Sequence, residues 1–342
     1  MMKTEHVQWG IIGTSPVAGR FIEGLAKVPQ ARLCRVAGSS PEKARAFAGQ
    51  TGHNGIGGRL DELLVDPAVD IVYIASPTRL HKEHALSCLQ AGKSVLCEKP
   101  FTSASGDFKE IVRLAKEKGL FCMEGMWLRF NPLVQRVSEL VRSGALGEIR
   151  MVRAECGYAV SPERLRDPCR GPVWDYGVYG LSLLQMLLGQ PEKMVVTGNR
   201  AKDDPQPGSV SVALSYENAT ASLIHSVHAE LSNQAEIVGT KGRLVLGPPF
   251  FGPSWIRSTV PLFGGSRFSG RIGPVLDSLR GEPVSNHRFQ QTGAPWAGFA
   301  GEASEATRAV MEERCESPIQ PLADTLGAIE LAESIQQALR SA

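Results

Sequence analysis

Residues 94–100 read SVLCEKP, an apolar run that ends on Glu98, Lys99 and Pro100 without a spacer. Two readings fit: a charged surface turn, or a strand that delivers one lysine to a fixed point in order to do chemistry. A second candidate lies near the N-terminus, where residues 10–19 read GIIGTSPVAG. A dinucleotide fingerprint requires glycines for a tight turn, for close approach of backbone to pyrophosphate, and for packing of helix on strand. Gly13, Ser15 and Ala18 occupy those three roles, with Gly10 leading in and Thr14, Pro16 and Val17 completing the turn. The serine is a departure that narrows the phosphate space and offers a hydroxyl in return. A strand precedes and a helix follows, so the helix N-terminal amides face the phosphate position.

The next strand tip reads AGSSPEK, residues 37–43. A carboxylate there would hold a ribose 2′-hydroxyl and favour NAD. Ser39 and Ser40 stand in its place with Lys43 close behind, a set that suits a 2′-phosphate, so NADP is favoured over NAD. The competing reading makes Ser40 a helix cap and Lys43 a solvated cation, which says nothing about cofactor. Ser76, Pro77 and Thr78 follow a third strand, and the carboxyl ends of parallel strands line the ligand crevice. His81 opens the helix after them. His81 and His84, three apart on that helix, have no carboxylate or cysteine triad beside them, so we expect cap or solvent-facing histidines and no metal site. His225 and His228 fall on a predicted strand and point to opposite faces.

These residues are positioned by alternating elements. Strands at about 6–13, 31–39, 69–76, 94–100 and 120–126 are separated by amphipathic helices, a rhythm that specifies a parallel, doubly wound sheet in residues 1–125. Residues 126–342 change character. Period-2 segments at 148–160, 192–201, 209–230 and 235–247 predict a large, mostly antiparallel sheet, with an apolar helix near 178–189 and a last helix over about 322–340. Residues 248–300 are rich in Gly, Pro, Ser and Arg and carry weak periodicity, so they receive no assignment.

In order along the chain come WGIIGT, ASPTRLH, AGKSVLCEKP, MEGMWLRFNP, LGE, WDYGVY, GTKG and ESPIQP. Together they resemble the GFO/IDH/MocA oxidoreductases, and within them the branch of dimeric dihydrodiol dehydrogenases and NADP-dependent xylose dehydrogenases. The resemblance implies an α/β architecture, a Rossmann domain followed by an α+β domain with an open sheet. It also implies a nicotinamide ring beside Lys99 and a cis peptide before Pro100. A tyrosine that serves as acid or base is implied too, which adds Asp175 and Tyr179 to the site. Many relatives carry histidine at the Tyr179 position, so their substrates do not transfer.

A hydride leaving a carbinol carbon must be accompanied by loss of the hydroxyl proton, and a base near the working pH does this best. Lys99 and Tyr179 are the candidates, with Asp175 orienting its partner. Asp175 as a helix cap and Tyr179 as half-buried core are the plainer alternatives. Glu98 is read with the cofactor set, as a contact or a structural anchor. Trp127 walls the pocket, and Arg129 either contacts the nicotinamide or substrate or forms an inter-domain ion pair with Glu124. The expected activity interconverts hydroxyl and carbonyl on a sugar, polyol or cyclic diol. A dinucleotide-binding regulator that lost catalysis is the alternative, and Ser15 is the feature that leans toward it.

Composition sets the remaining bounds. A formal net charge of +2 over 342 residues argues against an electrostatic nucleic-acid binder. No apolar stretch approaches the ~20 residues of a membrane span, and the N-terminus lacks a signal-peptide layout. Seven scattered cysteines read as reduced thiols in a cytoplasmic protein. The family resemblance adds a homo-oligomer built through the C-terminal sheet.

Overall fold

The computed structural model describes residues 5–51, 55–199, 207–260, 288–291 and 296–341, so much of the unassigned stretch 248–300 lies outside the described residues. Six parallel strands form the first sheet: β1 (Val7–Ile12), β2 (Ala31–Ala37), β3 (Ile56–Gly58), β4 (Ile71–Ile74), β5 (Ser94–Glu98) and β6 (Cys122–Gly125). Their order, β3-β2-β1-β4-β5-β6, reverses direction at β1, which opens a crevice between the carboxyl ends of β1 and β4. β4 and β5 are buried at every residue because helices cover both faces. The covering helices are α1 (Pro16–Leu25), α2 (Pro41–Gln50), α3 (Leu60–Val65), α4 (His81–Gln90) and α5 (Ser105–Lys118).

After α6 (Pro132–Arg142) the chain builds an eight-stranded sheet. It contains β7 (Ile149–Gly157), β8 (Lys193–Asn199), β9 (Ser209–Ser215), β10 (Thr220–Ser226), β11 (Ala235–Gly239), β12 (Gly242–Leu246), β13 (Trp255–Ser258) and β14 (Arg288–Gln291). Neighbouring strands are antiparallel except β7 and β10, which pair in parallel from Met151 opposite Thr220 to Gly157 opposite Ser226. A short helix α7 (Pro162–Leu165), a π-helical turn at Pro172–Gly177 and helix α8 (Val178–Leu188) follow β7 and lie over this sheet. β9 and β10 alternate buried and outward residues, as a sheet with one covered face must.

The last part of the chain returns to the first sheet. Helix α9 (Ala297–Met311) packs on α1 and on the short 3-10 turn Trp127–Phe130, and α10 (Leu322–Ser341) packs on α8 and α5. α9 approaches by backbone: a Cβ on Gly298 would lie 2.1 Å from the Trp127 carbonyl oxygen, and one on Gly301 2.7 Å from that of Phe130. The Trp9 indole donates to Thr307 on the same helix at 3.2 Å.

That backbone contact predicts opposite signs at two glycines. Gly298→Ala should lose roughly 1–3 kcal/mol in urea unfolding, because the methyl group has no room. Gly106→Ala, in the first turn of α5 with nothing within 4 Å of a Cβ, should gain up to about 1 kcal/mol. Equal effects at the two positions would contradict the packing.

Candidate active site

β1 delivers the chain to Gly13 at φ +116, and a Cβ there would sit 2.5 Å from the Ala75 carbonyl at the end of β4. Only glycine tolerates that conformation and that approach. Ser15, the glycine replacement, donates its hydroxyl to the same Ala75 carbonyl at 3.3 Å. The hydroxyl therefore ties the two strand ends together, and it does not cap α1. Pro16 at the first helical position carries no N–H, and Gly19 N–H is already taken by Ser15 O at 3.3 Å. The N–H groups of Val17 and Ala18 are left directed out of the helix end, a fit for a dinucleotide pyrophosphate.

At the tip of β2, Ser40 accepts from Lys43 N–H at 3.3 Å and caps α2, while Ser39, Lys43 and Arg45 are exposed. Glu42, the nearest acid, folds onto its own backbone N–H and the Ser40 hydroxyl, which hold its carboxyl below the ordinary range. Thr14 lies against this tip, its methyl 3.1 Å from a Cβ on Gly38. On the opposite wall, Pro77 is exposed, Thr78 opens a 3-10 turn, and Ser76 pairs its hydroxyl with His84 Nδ1 at 2.9 Å. Gly10 lies within β1 against Leu63 and Val69, away from the crevice.

Lys99 follows a strand buried along its whole length and is itself half-buried, and the bond to Pro100 is cis. Its ammonium donates to the Asp175 main-chain carbonyl at 3.0 Å and stands 4.4 Å above the Tyr179 ring. The second contact is a cation–π pair. These interactions bring the end of β5 to the π-helical turn over the second sheet, an irregularity frequent at functional sites. The Asp175 carboxylate points elsewhere. It pairs with Arg170 at 2.6 Å and accepts from Gly171 N–H at 3.0 Å, so it fixes the loop whose carbonyl holds the lysine. The expected carboxylate-to-partner contact is thus replaced by a main-chain one.

Tyr179 is buried, stacked on Phe251 at 4.4 Å, and its hydroxyl accepts from the Trp127 indole at 3.1 Å. Burial, reinforced by the nearby Glu98 charge, holds its proton affinity well above that of an ordinary phenol. At neutral pH it is a phenol with an O–H still to donate. Tyr158 and Tyr176 stand half-buried beside the π-helical turn with ring centroids 5.7 Å apart, and burial pushes Tyr176 up to about 12. Under the turn lies His225, fully buried, which burial holds neutral with a pKa of about 4. A Cβ on Gly177 would touch its ring at 3.3 Å. His228 lies beyond the end of β10, so the two histidines do not share the strand as expected.

Two further expectations are corrected, those for Arg129 and His81, and Glu98 takes the place of a structural anchor. Arg129 does not face a ligand: buried at 1% exposure, it donates to the Ser182 hydroxyl and carbonyl, to Ile319 O, and to Asp324 at 2.6 Å. Its ion-pair partner is Asp324, because Glu124 is taken by Phe101 N–H at 3.0 Å and the Gln320 amide at 3.1 Å. Glu98 turns beneath the lysine, where it accepts from Tyr73 Oη at 2.5 Å and Lys99 N–H at 3.1 Å. His81 is buried between carbonyl oxygens, with Nδ1 3.0 Å from that of Pro100 and Nε2 2.8 Å from that of Ser76. It clamps the ends of β4 and β5. Among the described residues, no cluster of His, Cys, Asp and Glu is arranged to hold a metal ion.

Phe251, Trp296, Tyr158, Tyr176 and Glu302 were not singled out from sequence. Tyr176 was the accessible one, since it sits inside WDYGVY; Tyr158 falls in the period-2 segment 148–160 without a motif, and Phe251, Trp296 and Glu302 lie in or beside the stretch of weak periodicity.

Comparison with known proteins fits this geometry. Residues 7–126 match the GFO/IDH/MocA "Oxidoreductase family, NAD-binding Rossmann fold", and residues 134–245 match the GFO/IDH/MocA C-terminal domain. Trans-1,2-dihydrobenzene-1,2-diol dehydrogenase of Bos taurus is 29% identical over 345 residues, covering 97% of each chain. The Mus musculus enzyme is 34% identical over 244 residues, 69% of this chain and 73% of that one. Among solved structures, the aldose-aldose oxidoreductase of Caulobacter crescentus complexed with glycerol superposes with a TM-score of 0.83 at 23% identity, covering 98% of each chain. A 3-ketoreductase of Actinomadura kijaniata in complex with NADP does so at 0.77 and 22% identity, covering 97% of each chain. Both likenesses concern the fold.

Glu124 generates a pH-dependent prediction. Burial raises its carboxyl to about 7 from 4.5. The folded chain then holds a proton that the unfolded chain releases, so this contribution is full below about pH 4.5 and is lost as pH rises through about 7. Unfolding free energies at about pH 5 and about pH 8 should differ by on the order of 3 kcal/mol more in the wild type than in Glu124→Gln. Identical slopes would show that Glu124 ionises normally.

Proposed function

The chain belongs to the GFO/IDH/MocA oxidoreductase family, and from that premise we propose how it works. It is an NAD(P)-dependent oxidoreductase that interconverts hydroxyl and carbonyl groups. We assign its substrate to the small sugars, polyols or cyclic diols, Lys99 to proton exchange, and Tyr179 to hydrogen bonding of the same substrate oxygen. What carries the reading is the Lys99 ammonium at the open end of β5, held 3.0 Å from the Asp175 carbonyl and over the Tyr179 ring.

The bound nicotinamide supplies or accepts the hydride. Residues 13–18 hold the pyrophosphate, and Ser39, Ser40 and Lys43 face the adenosine ribose. With no carboxylate at residues 37–41, we read NADP as preferred over NAD. Lys99 spends one donor on Asp175 and turns one face to the tyrosine ring, which leaves an N–H for substrate oxygen. Being half-buried, it can exchange protons with the crevice. Tyr179 has its acceptor side engaged by Trp127 and keeps a tightly held proton, so it donates a hydrogen bond rather than acting as a base. Trp127, Phe251 and Tyr176 supply apolar walls that exclude water. Since the Ser15 hydroxyl is absorbed into the β1–β4 contact, that serine does not favour the regulator alternative.

The free state of all seven cysteines supports the reading of a reducing, cytoplasmic setting. No described helix is long and apolar enough to cross a membrane. Homo-oligomerisation through the eight-stranded sheet remains our proposal from family resemblance.

Oxidation and reduction assays over a sugar, polyol and cyclic-diol panel, each with both cofactors, test the substrate class. We expect turnover within the panel and tighter NADPH than NADH binding, with Lys43→Glu weakening NADPH by about tenfold, ~1.4 kcal/mol. No hydride transfer anywhere in the panel would overturn the reading. Tyr179→Phe keeps the ring under Lys99 and loses only the hydroxyl, so kcat should fall by roughly 10²-fold with unchanged cofactor binding.

A further inference from the structure

Beside the joint that holds Lys99 lies a cavity of about 540 Å³, within the roughly 300–1,000 Å³ of small-molecule sites. Lys99, Trp127, Tyr176 and Tyr179 do not line it, so it is distinct from the catalytic crevice. One wall is Ser103, on the loop that runs on from Lys99 and Pro100. A second is Trp174, the residue before Asp175 in the π-helical turn, together with Cys169 from the loop that carries Arg170. These two walls meet where the Cys169 thiol lies 3.5 Å from the Ser103 hydroxyl. The third wall is α10, which packs against both the turn and α5. Each end of the Lys99–Asp175 hydrogen bond therefore sends its neighbouring chain to this cavity.

The lining is polar where a packed seam is ordinarily apolar. Glu333, Gln336 and Arg340 fall at helical spacing along α10, so they share one face, and that face lines the cavity. Glu333 gives one carboxylate oxygen to the Ser105 N–H at 3.0 Å and keeps the other. Gln336 and Arg340 have no hydrogen-bond or ion-pair partner among the described residues. Trp174 is only 4% exposed, and its indole N–H has no partner among the described residues either. A buried indole N–H ordinarily finds an acceptor. These groups select a ligand. The lining holds one cation and one anion, which offset each other, so a charged ligand gains no net partner. Arg340 and Trp174 donate, Glu333 accepts, and Gln336 and Ser103 do both. Several hydroxyls on a compact carbon frame meet that mixture, since each hydroxyl donates and accepts at once.

We propose that this cavity is a second binding site, one that takes a neutral polyol or monosaccharide and serves as an effector site for the Lys99–Asp175 joint. A ligand held between Ser103, Trp174 and α10 ties together the two loops that carry the ends of that hydrogen bond. Its consequence for turnover rests on the reading of Lys99 as the proton-exchanging group, whereas the binding itself does not.

Cys169, half-buried in the cavity lining, is the reporter. The full-length protein is alkylated with iodoacetamide in xylitol, D-glucose or potassium phosphate, and each cysteine is read by peptide mass spectrometry. Xylitol or glucose should slow alkylation of Cys169 by about tenfold at about ten times its Kd. Alkylation of Cys34 and Cys315, half-buried elsewhere, should not change, and phosphate should protect nothing. Gln336→Trp fills the cavity from α10 and should abolish the protection. Should that variant not fold, Arg340→Met at the exposed end of α10 takes its place and should raise the half-saturating sugar concentration severalfold. No protection by either sugar, protection by phosphate, equal slowing at all three cysteines, or protection that the folded variant leaves unchanged overturns the site. Amide hydrogen exchange over residues 99–105 and 172–179 tests the coupling. The protecting sugar should slow exchange in both segments of the wild type and in neither segment of Gln336→Trp. Protection of Cys169 without slower exchange in both segments overturns the effector role alone. A Lys99→Met variant that turns over normally overturns the reading of Lys99 and leaves these outcomes standing.

Discussion

One hydrogen bond, from the Lys99 ammonium to the Asp175 carbonyl, joins two sheets that are far apart in sequence, and most of the molecule serves to hold its two ends. At one end a strand buried on both faces fixes the lysine backbone, with His81 clamping the carbonyls around Pro100 and Glu98 anchoring the lysine N–H. At the other end a π-helical turn exposes a main-chain carbonyl, and the Arg170–Asp175 pair keeps that turn in shape. A carbonyl is a dipole, weaker than a carboxylate as a partner for the ammonium. It orients the lysine without neutralising it, which suits a group that must gain and lose a proton.

The seam between the sheets is held by the same kind of economy. Arg129 carries four hydrogen bonds inside the core, and Ser182, Ile319 and Asp324 come from segments of the chain before and within its last turns. Bonds to a charged donor contribute about 1.5–3 kcal/mol each, enough to offset burial of the guanidinium. Cys122 N–H adds a bond to Cys315 O at 3.0 Å, and Gln320 reaches Glu124. The ESPIQP stretch is therefore a strap that returns the chain to β6, directly behind the lysine.

Much of this was legible beforehand. The alternation of strand and helix specified the parallel sheet, and period-2 segments specified the second one, because each pattern reports which faces are covered. The helix Ala297–Met311 was not read, since it buries small residues against both α1 and the Trp127 turn and so shows no single apolar stripe. Glu302 was missed along with it. The parallel pairing of β7 with β10 leaves no local signature either. Among site residues, Lys99, Asp175 and Tyr179 come together as their motifs implied. The surroundings of Arg129 and His81 were misjudged because charge and residue type identify a polar group, whereas its partner is fixed by tertiary packing. Asp175 is the sharpest case: side-chain chemistry drew attention to a residue that reaches the lysine through its backbone.

The central claim is that Lys99 moves the proton that accompanies hydride transfer. Single-turnover hydride transfer in Lys99→Met, alongside cofactor binding measured by fluorescence titration, tests it most directly. The account predicts cofactor affinity within about threefold of wild type, under 1 kcal/mol, and a hydride-transfer rate lower by roughly 10²–10⁴-fold. A variant that binds cofactor and transfers hydride at the wild-type rate would contradict it.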